Sequence, residues 1–297
     1  MEYSLPTATV GIPTYYGGRG LLKAVNSVLA SVGVGPFRLI VCVDGNPLQK
    51  DIEKQLIDWG VEVIESKERG GQVARLNQMI GLCDTEVLVF TQDDIIFDPK
   101  ALSEILHAFR THPDITMIGA RIFPIPAKKF IERVIEIGVY IVHCIGDAWE
   151  HGDNYLLANG RCLAFRSGMV KKLEVPEGII SSDSYFYFEN KANGGKFLSL
   201  PSAVVYNKSP QKIQEHINQN KKFESSYKAA ERHLRRNLKK EYQIPPVVLL
   251  SCAMKEFLRH PVLMVFYVGL KIYAKLHKNS FLSAKRFWET DISTKEI

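Results

Sequence analysis

The sequence predicts an α/β fold in which a mostly parallel β-sheet is flanked by helices and followed by a C-terminal helical appendage. Short apolar runs alternate with amphipathic stretches from residue 8 to residue 118, and this alternation is typical of βαβ units. The runs are continuous in Val, Ile and Leu, as in strands covered on both faces. Polar residues follow three of the runs directly, at the edge where parallel sheets bind ligands.

The first half of the chain contains predicted strands and helices in regular alternation. The strands span residues 8–12, 38–43, 61–65, 87–90 and 115–118, and the helices span residues 21–30, 48–59, 72–82 and 100–109. The second half is less regular, with predicted strands at 162–165 and 203–206, a helix at 184–192, and a long basic helical stretch at 211–240.

The charge of the chain is concentrated near its C-terminal end. The 297 residues carry a formal net charge of +6, with the excess between Lys208 and Lys278. Nucleic acid and an anionic membrane surface are both partners for such a segment, and a solvated helix face is the third interpretation. We expect membrane contact and no nucleic-acid partner.

The cysteines and the N-terminus indicate a cytoplasmic protein. The chain has five cysteines but no CxxC pair or Cys/His cluster, so we expect neither a disulfide scaffold nor a structural zinc site. The first residues lack the basic and apolar regions of a signal peptide. The longest apolar stretch, Pro261–Leu270, is about half of what a spanning helix needs.

Four segments carry a family resemblance. VGIPTYYGGRGLLKAVNSVL, VCVDGNP, GGQVARLNQMIG and VFTQDDIIFDPKAL occur in this order within Thr7–Phe223, and together they resemble the family 2 glycosyltransferases. The resemblance implies a Rossmann-like GT-A fold and an inverting transfer of a sugar from a nucleotide-diphosphate sugar to a hydroxyl acceptor. A UDP-sugar is the favoured donor, and the favoured acceptor is a glycan or lipid-linked glycan of cell-surface polysaccharide synthesis.

A paired aspartate follows the predicted strand at 87–90. By the resemblance, Asp94 is the ligand of a divalent cation, Mn²⁺ or Mg²⁺, and Asp93 contacts the ribose or the metal. Carboxylate oxygens suit such hard cations, which neutralise a leaving diphosphate. The family more often has a third acid where this chain has Gln92. The alternative is that both aspartates cap the following turn and helix.

The predicted donor pocket draws on the ends of the first two strands and on the third helix. The resemblance assigns the nucleotide to Pro13, Thr14, Tyr15, Asp44 and Asn77. Arg75 is added because it lies one helical turn after Gly71, at a position where the family more often has a small residue. Asp44 is expected to bind the base or ribose, and Arg75 to reach the diphosphate. Asp44 is equally well interpreted as a turn aspartate before glycine. The family often has a second acid at the position of Val43.

The predicted catalytic base is Asp183. The stretch SSDSYFYFENKANGGKF resembles the family segment in which an acidic pair precedes an amphipathic helix and a glycine, with Asp183 and Gly194 in register and Ser182 in place of the usual Glu. A carboxylate at a helix start suits deprotonation of an acceptor hydroxyl. The alternative is that Asp183 is the N-cap of that helix.

Two further segments of the acceptor half carry cations. Gln219, Lys222 and Phe223 resemble a motif in which a cation contacts the diphosphate and an aromatic ring faces the acceptor sugar; a basic helix face with one core aromatic is the alternative. Arg161, in the triplet Asn159-Gly160-Arg161, is interpreted either as a contact to acceptor or donor phosphate or as a partner in a structural salt bridge.

We therefore divide the chain into a catalytic domain, residues 1–240, and a helical segment, residues 241–297. The nucleotide-sugar half ends near residue 120 and the acceptor half follows it. The helical segment mixes apolar and basic residues at helical spacing, which favours peripheral attachment to the cytoplasmic face of the cell membrane. A helical pair packed on the domain or on a second subunit is the alternative.

Two competing functions stay open at this point. Gly17-Gly18-Arg19-Gly20 faintly resembles the loop of a sugar nucleotidylyltransferase, which would release pyrophosphate rather than a nucleoside diphosphate. The departures at Val43, Gln92, Ser182 and Lys222 motivate the second, a catalytically inactive binding protein that has kept the fold.

Overall fold

The computed structural model describes residues 5–179, 181–215, 230–235 and 237–276. Its core is one eight-stranded sheet with the order β3-β2-β1-β4-β7-β6-β8-β5. The strands are β1 (Ala8–Thr14), β2 (Arg38–Asp44), β3 (Glu62–Ser66), β4 (Val87–Thr91), β5 (Ile95–Phe97), β6 (Ile115–Pro124), β7 (Cys162–Arg166) and β8 (Lys196–Asn207).

Most of the sheet is parallel, as predicted. β1 pairs in parallel with β2 and β4, β2 with β3, and β6 with β8. The strand β7 runs antiparallel between β4 and β6, and β5 runs antiparallel to β8 at the edge. The C-terminal ends of β1, β2 and β4 therefore meet the N-terminal end of β7 at one edge of the sheet.

Helices cover both faces of the sheet. They are α1 (Arg19–Leu29), α2 (Lys50–Asp58), α3 (Gly71–Leu82), α4 (Ala101–Thr111), α5 (Phe130–Ala148), α6 (Ser167–Val170), α7 (Ser182–Ala192), α8 (Pro246–Arg259) and α9 (Pro261–Leu276). One apolar core packs α1, α2 and α4 against the sheet, and a second packs α3, α6 and α7 against the other face. The sheet flanked by helices that the alternation of runs predicts is confirmed.

Some element boundaries differ from the predicted ones. β8 spans 12 residues, although only residues 203–206 were predicted as a strand, because its middle is exposed and contains Pro201. The pairing of β6 with β8 shifts register beside this point, between Ala120 and Arg121. The 19-residue helix α5 and the short strand β5 were not predicted at all.

The cysteine analysis missed one covalent link. Cys144 in α5 and Cys252 in α8 form a disulfide across 108 residues of sequence, whereas Cys42, Cys83 and Cys162 are free and buried. The sequence analysis expected no disulfide scaffold and did not identify this single link, because the partners share no local spacing and meet only when α8 packs on α5. The predicted reducing compartment stays a prediction.

The helices α5, α8 and α9 form a separate helical layer. Ile137, Ile141 and Ile145 of α5 pack against Cys252 of α8 and Met264 of α9. In the described part of the chain, no helix is both long and apolar enough to cross a bilayer. The helices α8 and α9 pack on α5, which belongs to the preceding predicted domain. The domain boundary near residue 240 stays a prediction.

Glu136 is a buried acid within this helical layer. Its side chain is on α5, only 9% of the residue is exposed, and its Oε1 atom has no hydrogen-bond partner among the described residues. Burial and, to a smaller extent, the charge of Glu132 raise the pKa of Glu136 to about 7, against the opposing effect of Arg133. Burial raises the pKa of the Tyr140 phenol. Glu136, on the same helix, and Glu256, across the interface on α8, raise it further.

We predict that replacing Glu136 by Gln stabilises the protein above neutral pH. The folded-state pKa lies above the unfolded value, so the folded chain keeps a proton that the unfolded chain releases, and the free energy of unfolding falls as pH rises from about 4.5 to about 7. Thermal unfolding across this pH range should show a flatter profile for Glu136→Gln than for the wild type. Glu241→Gln, at an exposed position, is the control and should follow the wild type. Parallel profiles for Glu136→Gln and the wild type would contradict the assignment.

Candidate active site

The site lies where the ends of β1, β2 and β4 meet the start of β7. Thr14 ends β1, Asp44 ends β2, and Asp93 and Asp94 follow β4. Three of these, Thr14, Asp44 and Asp93, are buried at 4–6% exposure. Because the strands are parallel neighbours, side chains separated by up to 79 residues are in contact here.

Asp44 holds the beginning of α3. Its Oδ1 accepts hydrogen bonds from the backbone N–H groups of Gly70 (2.8 Å) and Gly71 (3.1 Å), and its Oδ2 accepts a second bond from Gly71 (2.9 Å). The Nε of Arg75, one turn into α3, lies 3.3 Å from the Asp44 Oδ1 atom. A carboxylate at a helix N-terminus satisfies N–H groups that have no partner within the helix and complements the helix dipole.

The turn after β2 depends on glycine. Gly45 has a φ of +72°, and a Cβ atom there would lie 2.5 Å from the backbone nitrogen of Arg69. The close approach places the Arg69 guanidinium 3.9 Å from the centroid of the Tyr15 ring. Asn46 ties the same turn to β1 by donating a 2.9 Å hydrogen bond from Nδ2 to the Tyr15 carbonyl.

Thr14 connects β1 to the paired aspartates. Its hydroxyl donates to the Asp93 Oδ2 atom at 2.6 Å and accepts from the Gly17 N–H at 3.1 Å. The bond fixes the orientation of the Asp93 carboxylate. Asp94, partly buried, follows directly.

Gly160 joins the paired aspartates to Asp183. The carbonyl of Gly160 accepts a 3.2 Å hydrogen bond from Gln92 Nε2, and its N–H donates to the Asp183 Oδ2 atom at 3.1 Å. A Cβ atom on Gly160 would lie 3.4 Å from the Asp183 side chain, which is an ordinary van der Waals contact. These two hydrogen bonds therefore set the distance between Gln92, the residue before Asp93, and Asp183, the predicted base.

Asp183 lies in the first turn of α7 and is not its N-cap. The N-cap is Ser181, whose hydroxyl donates to the Asp183 Oδ1 atom, and that oxygen also accepts the Ser184 N–H at 2.9 Å. Both oxygens of Asp183 are thus oriented by the protein, and the side chain is partly exposed.

The other predicted site residues fall in three groups. Pro13 lies in β1 beside Cys42 of β2. The amide of Asn77 is bound on both sides by the backbone of Val175, at 2.8 and 3.0 Å, which gives it a role in positioning that loop. Gln219, Lys222 and Phe223 lie outside the described residues, and their roles stay predictions.

Arg161 is a cation on the β7 side of the site. Its carbonyl accepts the Thr91 hydroxyl at 2.8 Å, and its N–H donates to Asn159 Oδ1 at 3.1 Å. Burial lowers the pKa of the Arg161 guanidinium, and the carboxylates of Asp94 and Asp183 oppose that shift. Arg161 is therefore close enough to the predicted metal ligand and to the predicted base for both charges to act on it.

The oxygen atoms at the end of β4 fit a divalent cation of the kind that is completed by substrate. The described residues contain no group of three or more His, Cys, Asp or Glu side chains that could hold a metal alone. Mg²⁺ and its relatives are often bound by one or two carboxylates together with phosphate oxygens and water. The carboxylates of Asp93 and Asp94 match that donor set, and the buried Oδ1 atom of Asp94 has no hydrogen-bond partner among the described residues.

Sequence reasoning missed two parts of this arrangement. It did not identify Arg69, whose stacking on Tyr15 depends on the turn at Gly45, or the link through Gly160, whose partners are 68 and 23 residues away. The positive φ that Gly45 requires is compatible with the Asp-Gly signal in the sequence, but no local signal specifies Gly160.

Solved structures of glycosyltransferases resemble this fold. Mannosyltransferase PcManGT from Pyrobaculum calidifontis, solved with GDP-Man and Mn²⁺, matches with a TM-score of 0.58 at 15% identity over 95% of this chain and 78% of that one. TarS from S. aureus matches at 0.52 and 14% over 92% of this chain and 53% of its own, so this chain spans about half of TarS. TarS 1–349 matches at 0.52 and 16% over 90% and 80%.

At these identities the structural likeness shows the fold alone, which is GT-A. A search of curated protein sequences finds no match. The sequence model described as Glycosyltransferase like family 2 matches residues 6–222, which include every described site residue named above. The chain belongs to the glycosyltransferase-like family 2 and is a glycosyltransferase.

Proposed function

We propose that this protein is an inverting glycosyltransferase that moves a sugar from a nucleotide-diphosphate sugar to a hydroxyl of a glycan or lipid-linked glycan. The observation that carries the proposal is the pair of hydrogen bonds through Gly160. These bonds hold one carboxylate, Asp183, at a fixed position opposite the paired aspartates at the end of β4. A metal-side carboxylate and a separate base are what direct displacement at an anomeric carbon requires.

The donor nucleotide is assigned to the β1 and β2 side of the site. Asp44 has one Oδ2 lone pair beyond its bond to Gly71, and that lone pair accepts a hydrogen bond from the base or ribose. Tyr15 and Arg69 form the adjacent wall, and Arg75 balances the buried charge of Asp44. We favour UDP as the nucleotide, and GDP, found in PcManGT, is the comparison to test.

Asp94 and Asp93 would hold the divalent cation. When bound, Mn²⁺ or Mg²⁺ supplies Lewis-acid neutralisation of the diphosphate leaving group. Thr14 keeps Asp93 oriented through its 2.6 Å hydrogen bond, so this carboxylate is positioned before any ligand arrives.

Asp183 would remove the proton of the acceptor hydroxyl. Its bonds to Gly160, Ser181 and Ser184 fix the orientation of the carboxylate, while its partial exposure leaves access for the acceptor. We assign no second carboxylate as a nucleophile, so displacement occurs in a single step and inverts the anomeric configuration.

We predict that Asp94→Asn abolishes metal-dependent turnover while the protein stays folded. The amide keeps the shape of the side chain but removes the charge that a hard cation requires. Release of nucleoside diphosphate from UDP- and GDP-sugars with Mn²⁺ measures turnover, and the exposed Asp58→Asn is the control. Full activity of Asp94→Asn in EDTA would overturn the assignment, and release of pyrophosphate would favour a nucleotidylyltransferase.

We predict that Asp183→Asn lowers transfer by at least about 10²-fold, the scale of general-base catalysis. The amide can still accept from the Gly160 N–H, so α7 should stay in place. Binding of UDP with Mn²⁺, measured by thermal shift, should match the wild type because the base acts on the acceptor. An unchanged transfer rate would place the base elsewhere, and a lowered melting temperature without ligand would indicate a structural role.

We also propose peripheral attachment to an anionic membrane through α8 and α9. The outer surface of these two helices, which we call the apolar face, exposes large hydrophobic side chains, several of them more than half exposed. Its members are Val247, Leu249, Leu250, Met254, Phe257, Leu258, Val262, Val265, Phe266, Val268, Ile272, Tyr273 and Leu276. A continuous exposed patch of this kind marks an interaction site.

The charges around the apolar face favour an anionic bilayer as its occupant. Within residues 246–276 the exposed charged side chains are Lys255, Arg259, Lys271 and Lys275, and the one acid, Glu256, is buried and bound to Arg259. Each Lys or Arg near an anionic surface contributes about 1 kcal/mol. Attachment here would place the protein on the cytoplasmic face, with a lipid-linked acceptor within the same surface layer.

We predict that the wild type sediments with phosphatidylserine–phosphatidylcholine vesicles. Lys271→Gln/Lys275→Gln should weaken binding by about 30-fold at low salt, which corresponds to about 2 kcal/mol for two cations. Phe257→Ser/Val265→Ser should weaken binding at every salt concentration, because apolar burial is not screened.

The control for this experiment is Ile57→Ser, at an exposed apolar position on α2, which should bind like the wild type. Retention of the wild type in the supernatant would contradict membrane attachment. A stable dimer that the Phe257→Ser/Val265→Ser change dissociates would assign the apolar face to a second copy of the chain instead.

A further inference from the structure

We infer that Arg161 is the anchor for an anionic group, a phosphate or a carboxylate, on the acceptor substrate. The inference rests on the proposed function, because it takes Asp94 as the metal side and Asp183 as the base. It adds a property of the acceptor, namely a negative charge close to the reacting hydroxyl.

The backbone around Arg161 is held firmly by three neighbours. Thr91 binds its carbonyl, Asn159 binds its N–H, and the adjacent Gly160 is bound to Gln92 and Asp183. β7 pairs with β4 so that Cys162 lies opposite Thr91. The backbone that carries the Arg161 side chain is therefore held in place at the edge of the sheet.

The guanidinium of Arg161 makes no hydrogen bond and no ion pair with any of the residues that the structure describes. The two carboxylates that act on it, Asp94 and Asp183, lie outside ion-pair distance. The oxygens of Asp183 are already used by Gly160, Ser181 and Ser184. Among the described residues the salt-bridge interpretation of Arg161 is therefore not realised.

A cation in these surroundings favours an anionic ligand. Burial lowers the pKa of Arg161, which means that the protein surroundings solvate its charge poorly, and a desolvated charge is costly unless it is paired. A guanidinium offers five N–H donors in a planar fork that matches the paired oxygens of a phosphate or carboxylate. The partly exposed side chain is accessible to such a group.

The sheet order separates this anion from the donor diphosphate. β2 and β1, which carry Asp44 and Thr14, lie on one side of β4, and β7 lies on the other. Arg161 is thus across β4 from the donor residues and on the same side as Asp183. A group bound by Arg161 next to the base belongs to the molecule whose hydroxyl the base deprotonates.

The test compares three small acceptor analogues that differ in charge: glycerol 3-phosphate, glycerate and glycerol. Their binding to the full chain, in the presence of UDP and Mn²⁺, is measured by isothermal titration. We expect the wild type to bind one or both anions and to bind glycerol more weakly. The stronger of the two anions identifies the acceptor group as phosphate or carboxylate.

Two variants then assign the binding to Arg161. Arg161→Gln should weaken anion binding by at least about 10-fold, the scale of charge-assisted hydrogen bonds, and Arg161→Lys should restore part of it through charge without the fork. UDP affinity should stay unchanged in both. Arg110→Gln, at an exposed position on α4, is the matched control and should bind like the wild type.

The outcomes separate this inference from the proposed function. Anion affinity equal in Arg161→Gln and the wild type, or no preference for the anions over glycerol, overturns the acceptor anchor while UDP binding still supports the donor site. A parallel loss of UDP affinity in Arg161→Gln moves Arg161 to the donor diphosphate and also overturns the inference. Absence of both UDP and GDP binding in the wild type would instead contradict the proposed function.

Discussion

The antiparallel pairing of β7 with β4 is the constraint on which the site depends. Strands β1 to β4 pair in parallel and bring the donor-side residues to one edge of the sheet. They do not supply the residues of the acceptor side. β7 enters from the opposite direction, so its first residues, not its last, lie beside the end of β4. This reversal places Gly160 and Arg161 against Thr91 and Gln92, and Gly160 in turn fixes Asp183. One strand pairing thus sets the geometry between the two halves.

Asp44 illustrates how a structural and a binding role coincide. Its bonds to Gly70 and Gly71 fix the first turn of α3, and Arg75 balances its charge. Removing one partner of a buried pair typically costs about 3–5 kcal/mol, so Asp44 is retained for stability whatever it binds. The interpretations as a turn aspartate and as a nucleotide contact are therefore compatible, and the presence of Asp44 alone does not identify the nucleotide.

The sequence was sufficient for the parts of the fold that depend on local pattern. Continuous apolar runs located β1, β2 and β4 to within a few residues, because both faces of these strands are buried. The partly exposed edge strand β3 was located as well. The sequence pattern located only residues 203–206 of β8, because the exposed middle of this strand contains Pro201. It gave no sign of the disulfide between Cys144 and Cys252, which spans 108 residues. For the candidate site, motifs at strand ends predicted Thr14, Asp44 and Asp93, and the structure brings these residues to one edge of the sheet. The contacts of Asn77 with Val175, 98 residues away, depend on tertiary packing that no local pattern encodes.

Packed helices and hydrogen bonds connect the apolar face to α7, the helix that carries the proposed base Asp183. α8 and α9 pack on α5, and the end of α5 is fastened to the following turn by Asn154, which donates to the carbonyls of Gly146 and Trp149. Beside Asn154, Asp153 accepts the hydroxyl of Tyr187 at 2.9 Å, one turn along α7 from Asp183. Each contact in this series is a packed helix pair or a hydrogen bond with little freedom to lengthen. A surface that held α8 and α9 would therefore also fix the orientation of α7, and with it the direction from which an acceptor hydroxyl reaches Asp183.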